Sequence, residues 1–203
     1  MDWRGRYERA AARYAAGESR EADERQLVQL ANSAWAAGLS LLMDGDREGA
    51  AEWLRRAAAR YRESWDVGEA AYAWGRPIGA MKALLIAGDD PGDAAQWTLE
   101  TCLGISYRDM SVSSIGRYAG VLALLVLDRD EEAAALAATL GEDFPADVAD
   151  ALRALSAYDA DAYRTAVAAI RRSFETRDAF LEDVPVPDTA LALDALAASR
   201  GLG

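Results

Sequence analysis

Apolar residues recur along the chain at steps of three and four, as in Leu27, Leu30, Ala34, Gly38 and Leu41, which keeps one helical face apolar and leaves the other polar. No stretch alternates apolar and polar residues as a half-buried strand would. The spacing predicts helices over residues 2–16, 20–43, 47–64, 67–87, 91–105, 110–127, 130–140, 146–157, 159–179 and 188–199. The joints between them are alike: "MDGDRE", "AGDDPGD", "LDRDEE" and "YDADAY" each place an aspartate where one helix stops and the next starts. A carboxylate there accepts hydrogen bonds from the orphan amides of the first turn and favours the positive end of the helix dipole, so Asp46, Asp90, Asp130 and Asp159 are expected N-caps. Gly45 and Gly88 are expected to supply the left-handed stop. Asp44-Gly45-Asp46 therefore reads as punctuation between helices, and its glycine is misplaced for a calcium loop.

A repeated turn implies a repeated helix pair. Residues 34–62 resemble a tetratricopeptide repeat at Gly38, Leu41, Gly45, Ala50, Leu54 and Ala57, where small residues let two helices approach. Trp35 falls one residue late, Arg62 stands where a proline would close the repeat, and the turns are unevenly spaced, whereas a regular array repeats every ~34 residues. The expected fold is all-α: a right-handed stack of antiparallel helical hairpins, a tetratricopeptide-like α-solenoid of about ten helices, forming one domain over residues 1–203. Trp35, Leu54 and Cys102 are expected in the core. The last stretch, "PVPDTALALDALAASRGL", is expected to be a helix capped by Asp188 or Thr189 and stopped by Gly201. Its stripe of Leu191, Ala192, Ala195, Leu196 and Ser199 is expected to close the end of the stack.

Composition agrees with helix: alanine dominates, and only 5 prolines occur in 203 residues that are 52% hydrophobic. A net charge of -12 argues against a phosphate backbone as partner, so no nucleic acid is expected. Cys102 is the only cysteine, which forbids an intrachain disulfide and suits a reducing compartment. The opening "MDWRGRYERAAARY" lacks the apolar centre of a signal peptide, and the run Val121 to Leu127 is far short of the ~20 residues of a membrane span. A soluble, cytoplasmic chain without membrane contact is the expectation.

The absence of histidine removes Ser-His-Asp and Cys-His nucleophiles, His-ligated metals and imidazole acid/base chemistry. A lone cysteine builds no structural zinc site, and neither a Walker nor a dinucleotide fingerprint occurs. No catalytic residue, cofactor or metal is therefore assigned. What remains is a carboxylate pair or Lys82, the sole lysine. An activated lysine needs desolvation or a cationic neighbour, and the expectation for Lys82 is a solvated or snorkelling side chain. More suggestive are Trp65, Glu69, Tyr72, Trp74 and Arg76, followed by Tyr107, Arg108, Asp109, Arg117 and Tyr118. Glu69, Tyr72 and Arg76 fall on one stripe of a helix, and Tyr, Trp and Arg concentrate at protein-binding hot spots. Glu69, Tyr72, Arg76, Arg117 and Tyr118 are thus the candidate partner-binding residues, set against the reading that the rings anchor the core and the arginines make surface ion pairs. Arg55, Arg56, Arg60 and Arg62, with Glu52 and Glu63 beside them, read as a solvated face.

The segment "RPIGAMKALLIAGD" at residues 76–89, the acidic-turn hairpins and the terminal helix ending "LAASRGL" resemble the all-α immunity proteins of bacterial-type polymorphic toxin systems, specifically the immunity-49 family. That resemblance implies a non-catalytic antidote whose protein partner is one toxin domain. Two other readings stand beside it. One is an adaptor or regulatory scaffold of tetratricopeptide type binding peptides in a concave groove; the other is a histidine-free enzyme using carboxylates or Lys82.

Overall fold

Apolar stripes bounded by aspartate and glycine become helices in the computed structural model, which describes residues 1–18, 23–68, 73–104 and 112–202. They are α1 (Trp3–Glu18), α2 (Glu24–Asp44), α3 (Arg47–Val67), α4 (Gly75–Ala87), α5 (Gly92–Trp97), α6 (Ser114–Val126), α7 (Asp130–Ala137), α8 (Ala146–Ser156), α9 (Ala160–Glu175) and α10 (Asp188–Ser199). A π-helical turn, Thr98–Leu103, prolongs α5, and a 3-10 turn, Leu181–Asp183, precedes α10. No strand occurs among the described residues, and the fold is all-α with successive helices paired as antiparallel hairpins.

The caps follow the chemistry of their residues. The carboxylate of Asp46 accepts the amide of Gly49 at 2.9 Å, and that of Asp159 accepts the amide of Ala162 at 2.9 Å. Asp90 accepts from Gly92 at 2.8 Å, one residue ahead of where α5 is entered through Pro91. Two further caps, Asp23 on Gln26 and Ser113 on Gly116, start α2 and α6 inside the expected boundaries. Gly45 and Gly88 stop α2 and α4 at φ 91° and 79°, left-handed geometry that costs glycine nothing sterically.

Two expectations are corrected. The helix expected over 67–87 begins only at Gly75, after α3 has run on to Val67 and Gly68 has turned extended. Pro77 explains the late start: it sits in the first turn of α4, where its missing N–H is one of the orphan donors anyway, and it would break the interior of a longer helix. Asp130 is not a cap; it opens α7 with its carboxylate turned to the guanidinium of Arg200 and the hydroxyl of Tyr158, 3.0 Å away.

The chain forms two compact units, Met1–Asp89 with Asp178–Asp188, and Asp90–Arg177 with Thr189–Gly203. In the first, α1, α2, α3 and α4 pack each on the next. The α2–α3 approach depends on Gly38: a Cβ there would lie 2.7 Å from Leu54 Cγ and 3.1 Å from the carbonyl oxygen of Ala50. Gly38 is thus the gap that the Leu54 knob fills, and Trp35, Leu39, Leu41, Ala57 and Met81 are buried in the same unit. Gly79 does the same for α3 and α4, with a Cβ position 2.7 Å from the Tyr61 ring.

In the second unit α5, α6, α7, α8 and α9 also pack in chain order, with Val121, Leu122, Leu124, Leu125, Leu152 and Leu155 buried and Cys102 buried within the π turn. Along α10 the buried stripe is Ala192, Leu193, Leu196 and Ala197, whereas Leu191 and Ala195 are half-buried and Ser199 is exposed. Gly201 follows at φ 72° as the expected stop.

Candidate functional site

Of the three residues expected on one stripe, Glu69 and Tyr72 lie outside the described residues, as do Tyr107, Arg108 and Asp109. Arg76 stands in the first turn of α4 with 12% of its side chain exposed. Its guanidinium donates to the backbone carbonyl of Ser64 at 2.8 Å and to the carboxylate of Glu24 in α2. The ion pair closes one wall of a hollow of about 680 Å³ lined by Asp23, Glu24, Arg25, Val28, Gln29 and Arg76. Asp23 is held there as the cap of α2, so the walls of the hollow are fixed by backbone structure as well as by charge.

A second hollow of about 390 Å³ adjoins it. Gln29 lines both, and the second continues to Arg13, Gly17, Gln26, Leu30, Ser33 and Glu182. Gln26 donates to the carbonyl of Gly17 at 3.2 Å, tying α2 to α1, and Arg13 donates to Glu182 at 2.9 Å. One face of the first unit thus carries acids and arginines alternately, from Arg76 and Glu24 past the exposed Gln29 to Arg13 and Glu182.

Lys82 departs from its expected solvated state. It is 8% exposed, its ammonium donates to Asp188 at 2.7 Å, and it lies 5.6 Å from the centroid of the Trp35 ring. The reason is its helix face: Ile78 and Leu85, at i−4 and i+3, are buried on the same side of α4, and a charge carried in with them needs a partner carboxylate. Near this pair the hydroxyl of Tyr61 donates to Asn32 Oδ1 at 2.8 Å. Burial, then the charges of Asp188 and Glu182, raises the phenol well above its ordinary range. Lys82 is desolvated, but its neighbour is an anion with which its ammonium is already engaged.

In the second unit Arg117 donates to the hydroxyl of Ser114 at 2.9 Å, and that hydroxyl in turn donates to Asp143. Tyr118 is 8% exposed and packs on Phe144 with ring centroids 5.3 Å apart. A separate groove of about 570 Å³ runs between α8 and α9, with Ala154, Ala162, Ala166 and Ala169 as floor and Asp147, Asp150, Asp159, Arg153 and Arg172 as rims.

Sequence reasoning missed a ladder of rings and arginines between α1 and α3. Tyr7 and Tyr14 meet Trp53 edge-on at 6.1 and 5.2 Å; Arg4 lies 5.0 Å from the centroid of the Tyr7 ring, and Arg56 lies 4.6 Å from that of Trp53. Its only local signal is the three-residue step between Arg4 and Tyr7 and between Trp53 and Arg56, which places each pair on one helical face. Arg55, Arg56 and Arg60 bind Asp89, Glu52 and Glu63, as a solvated ion-paired face should. Among the described residues no group of three or more acidic or cysteine side chains could hold a metal ion, and no helix is long and apolar enough to cross a membrane. Compared with models of protein families, with curated proteins and with solved structures, the chain matches none.

Proposed function

We propose that the chain is a non-enzymatic protein-binding module built on tetratricopeptide-like hairpins, whose partner docks on the first-unit face running from Arg76 and Glu24 across Gln29 to Arg13. The observation that carries this reading is the pair of hollows meeting at Gln29, with arginines and carboxylates set alternately along them. Such a pattern discriminates partners by complementary charge, and arginine is among the side chains that concentrate binding energy. Glu69 and Tyr72 enter the reading by residue type alone, since the helix that carries Arg76 starts at Gly75; Arg117 and Tyr118 are carried as second-unit candidates for the same assay. In its finer form the partner is a toxin domain, as the resemblance of residues 76–89 to the immunity-49 family implies, and Arg76 opens that segment. A peptide-binding adaptor is the second reading, favoured by the alanine-floored groove between α8 and α9.

The test starts from a partner captured on the full chain from its native host. Its affinity is then measured by calorimetry against wild type, Arg25→Glu, Arg76→Ala and Arg117→Ala. Arg25 is exposed, so its variant changes the face without touching the core. Loss of about 2 kcal/mol, roughly a thirtyfold rise in Kd, in Arg25→Glu and Arg76→Ala with melting unchanged in the former is expected. Wild-type affinity in both contradicts the face. If the partner is a toxin, co-expression of the chain restores growth of toxin-producing cells and the Arg25→Glu chain does not.

A further inference from the structure

Residues 178–188 are remote in sequence from the first unit's helices and yet belong to that unit. The chain there is extended on both sides of the 3-10 turn, with Phe180 at φ -133°, ψ 150° and Val184 at φ -99°, ψ 101°. Val184 and Val186 are 6% and 2% exposed while Leu181 is 52% exposed, so the two valines, two residues apart, serve as alternate anchors. Pro185 and Pro187 fix φ, and the backbone bends across each: the Val186 amide donates to the Val184 carbonyl at 2.9 Å and the Asp188 amide to the Val186 carbonyl at 2.7 Å. The turn packs on α2. Three cations grip the segment: Arg6 donates to the carbonyl of Asp183, Arg13 to the carboxylate of Glu182 at 2.9 Å, and Lys82 to Asp188 at 2.7 Å. Apolar side chains at alternate positions give a bound peptide its specificity, and here the acidic flanks are met by cations.

The seat is imperfect. Glu182 and Asp183 are consecutive non-glycine residues at φ 54° and 57°, a left-handed conformation that side-chain-bearing residues rarely adopt. Ion pairs and buried valines hold the segment in a backbone geometry that its own sequence disfavours, which is the condition for exchange with a better-suited chain.

We infer that residues 178–188 are a resident pseudo-ligand in a peptide groove of the first unit, and that the partner presents an acidic segment with two β-branched residues at alternate positions, which displaces them. The inference deepens the protein-binding reading above and rests on it. In a chain of net charge -12, Arg6, Arg13 and the sole lysine all serve this one segment, so an incoming acidic segment finds the same three grips. Tethering gives the resident segment a high effective concentration, which the partner overcomes with contacts beyond the groove, along the face that continues from Arg13 to Gln29.

The probe is a fluorescent synthetic peptide of residues 178–188, titrated by anisotropy into the full-length protein. Val184→Ala/Val186→Ala weakens the resident segment and is expected to bind the peptide at least tenfold more tightly than wild type; adding Arg13→Ala is expected to remove most of that gain. Circular dichroism checks that helicity is kept. Should the double variant unfold, Glu182→Gln loosens one grip without touching the valines and is expected to tighten peptide binding about threefold. No gain in a folded variant overturns the inference. A captured partner that competes with the peptide supports it, whereas a partner that binds without competing overturns the groove assignment and leaves the binding module standing. Peptide exchange in a chain for which no partner is found leaves the groove standing and fails the functional reading.

Discussion

Arg200 is hydrogen-bonded to Asp130 across 70 residues of sequence, and the same guanidinium donates to Asp128 and to the carbonyl of Leu125, 2.8 and 2.9 Å away. Its side chain is 2% exposed, so the charge is dry and depends on these acceptors. Asp130→Ala is therefore expected to cost about 2 kcal/mol, below the full penalty of breaking a buried pair because Asp128 remains. Asp46→Ala, which removes only a cap, is expected to cost about 1 kcal/mol. Urea melts of the two variants compare them directly, and equal losses would return Asp130 to a capping role.

Lys82 and Asp188 make a pair whose side chains are 10% and 24% exposed. Lys82→Met keeps the apolar stem and removes the charge, leaving the carboxylate without its ammonium; about 2 kcal/mol of destabilisation is expected. Combining it with Asp188→Asn should recover at least half of that loss. A neutral Lys82→Met would mean a solvated lysine after all.

Gly38→Ala places a methyl group against Leu54 and the Ala50 carbonyl and is expected to cost about 1–3 kcal/mol by forcing α2 and α3 apart. Gly45→Ala meets no atom within 4 Å and is expected to cost about 1 kcal/mol, from its φ of 91° alone. Chemical denaturation ranks the two, and the reverse order would contradict the packing account.

Burial and the nearby carboxylates make the Tyr61 phenol hold its proton more tightly folded than unfolded. The stability this contributes is complete below the unfolded value of about 10 and falls as pH rises beyond it, because only the unfolded chain then releases the proton freely. Tyr163 acts in the same direction through burial and Asp194. Tyr61→Phe should lose about 1 kcal/mol at neutral pH with the Asn32 hydrogen bond, yet show a shallower decline between pH 10 and 11. Parallel declines in urea midpoint would contradict it.

Helix positions were legible because burial on one face imposes a local period, and the caps at Asp46 and Asp159 because Asp and Gly act within one turn; Asp130 was not, because its partner lies 70 residues away. The start of α4 was legible too, in Pro77, once a proline's missing donor is weighed above apolar spacing. Lys82 with Asp188, Arg200 with Asp130, and Arg13 with Glu182 were not: each joins residues far apart in the chain, and no local pattern records which helix face a charge will meet. The hollows around Gln29 were hidden for the same reason. Arg76 was singled out by its residue type and its neighbours in sequence, while Gln29, which links the two hollows, carries no chemical signal of its own.

The most direct test of a partner face centred on Gln29 is the affinity of the captured partner for Gln29→Trp. The position is exposed, so the indole fills the junction of the two hollows without disturbing the buried side of α2. A rise in Kd of about a hundredfold, roughly 3 kcal/mol, with an unchanged melting temperature is predicted. Wild-type affinity for Gln29→Trp would place the partner elsewhere and contradict the account.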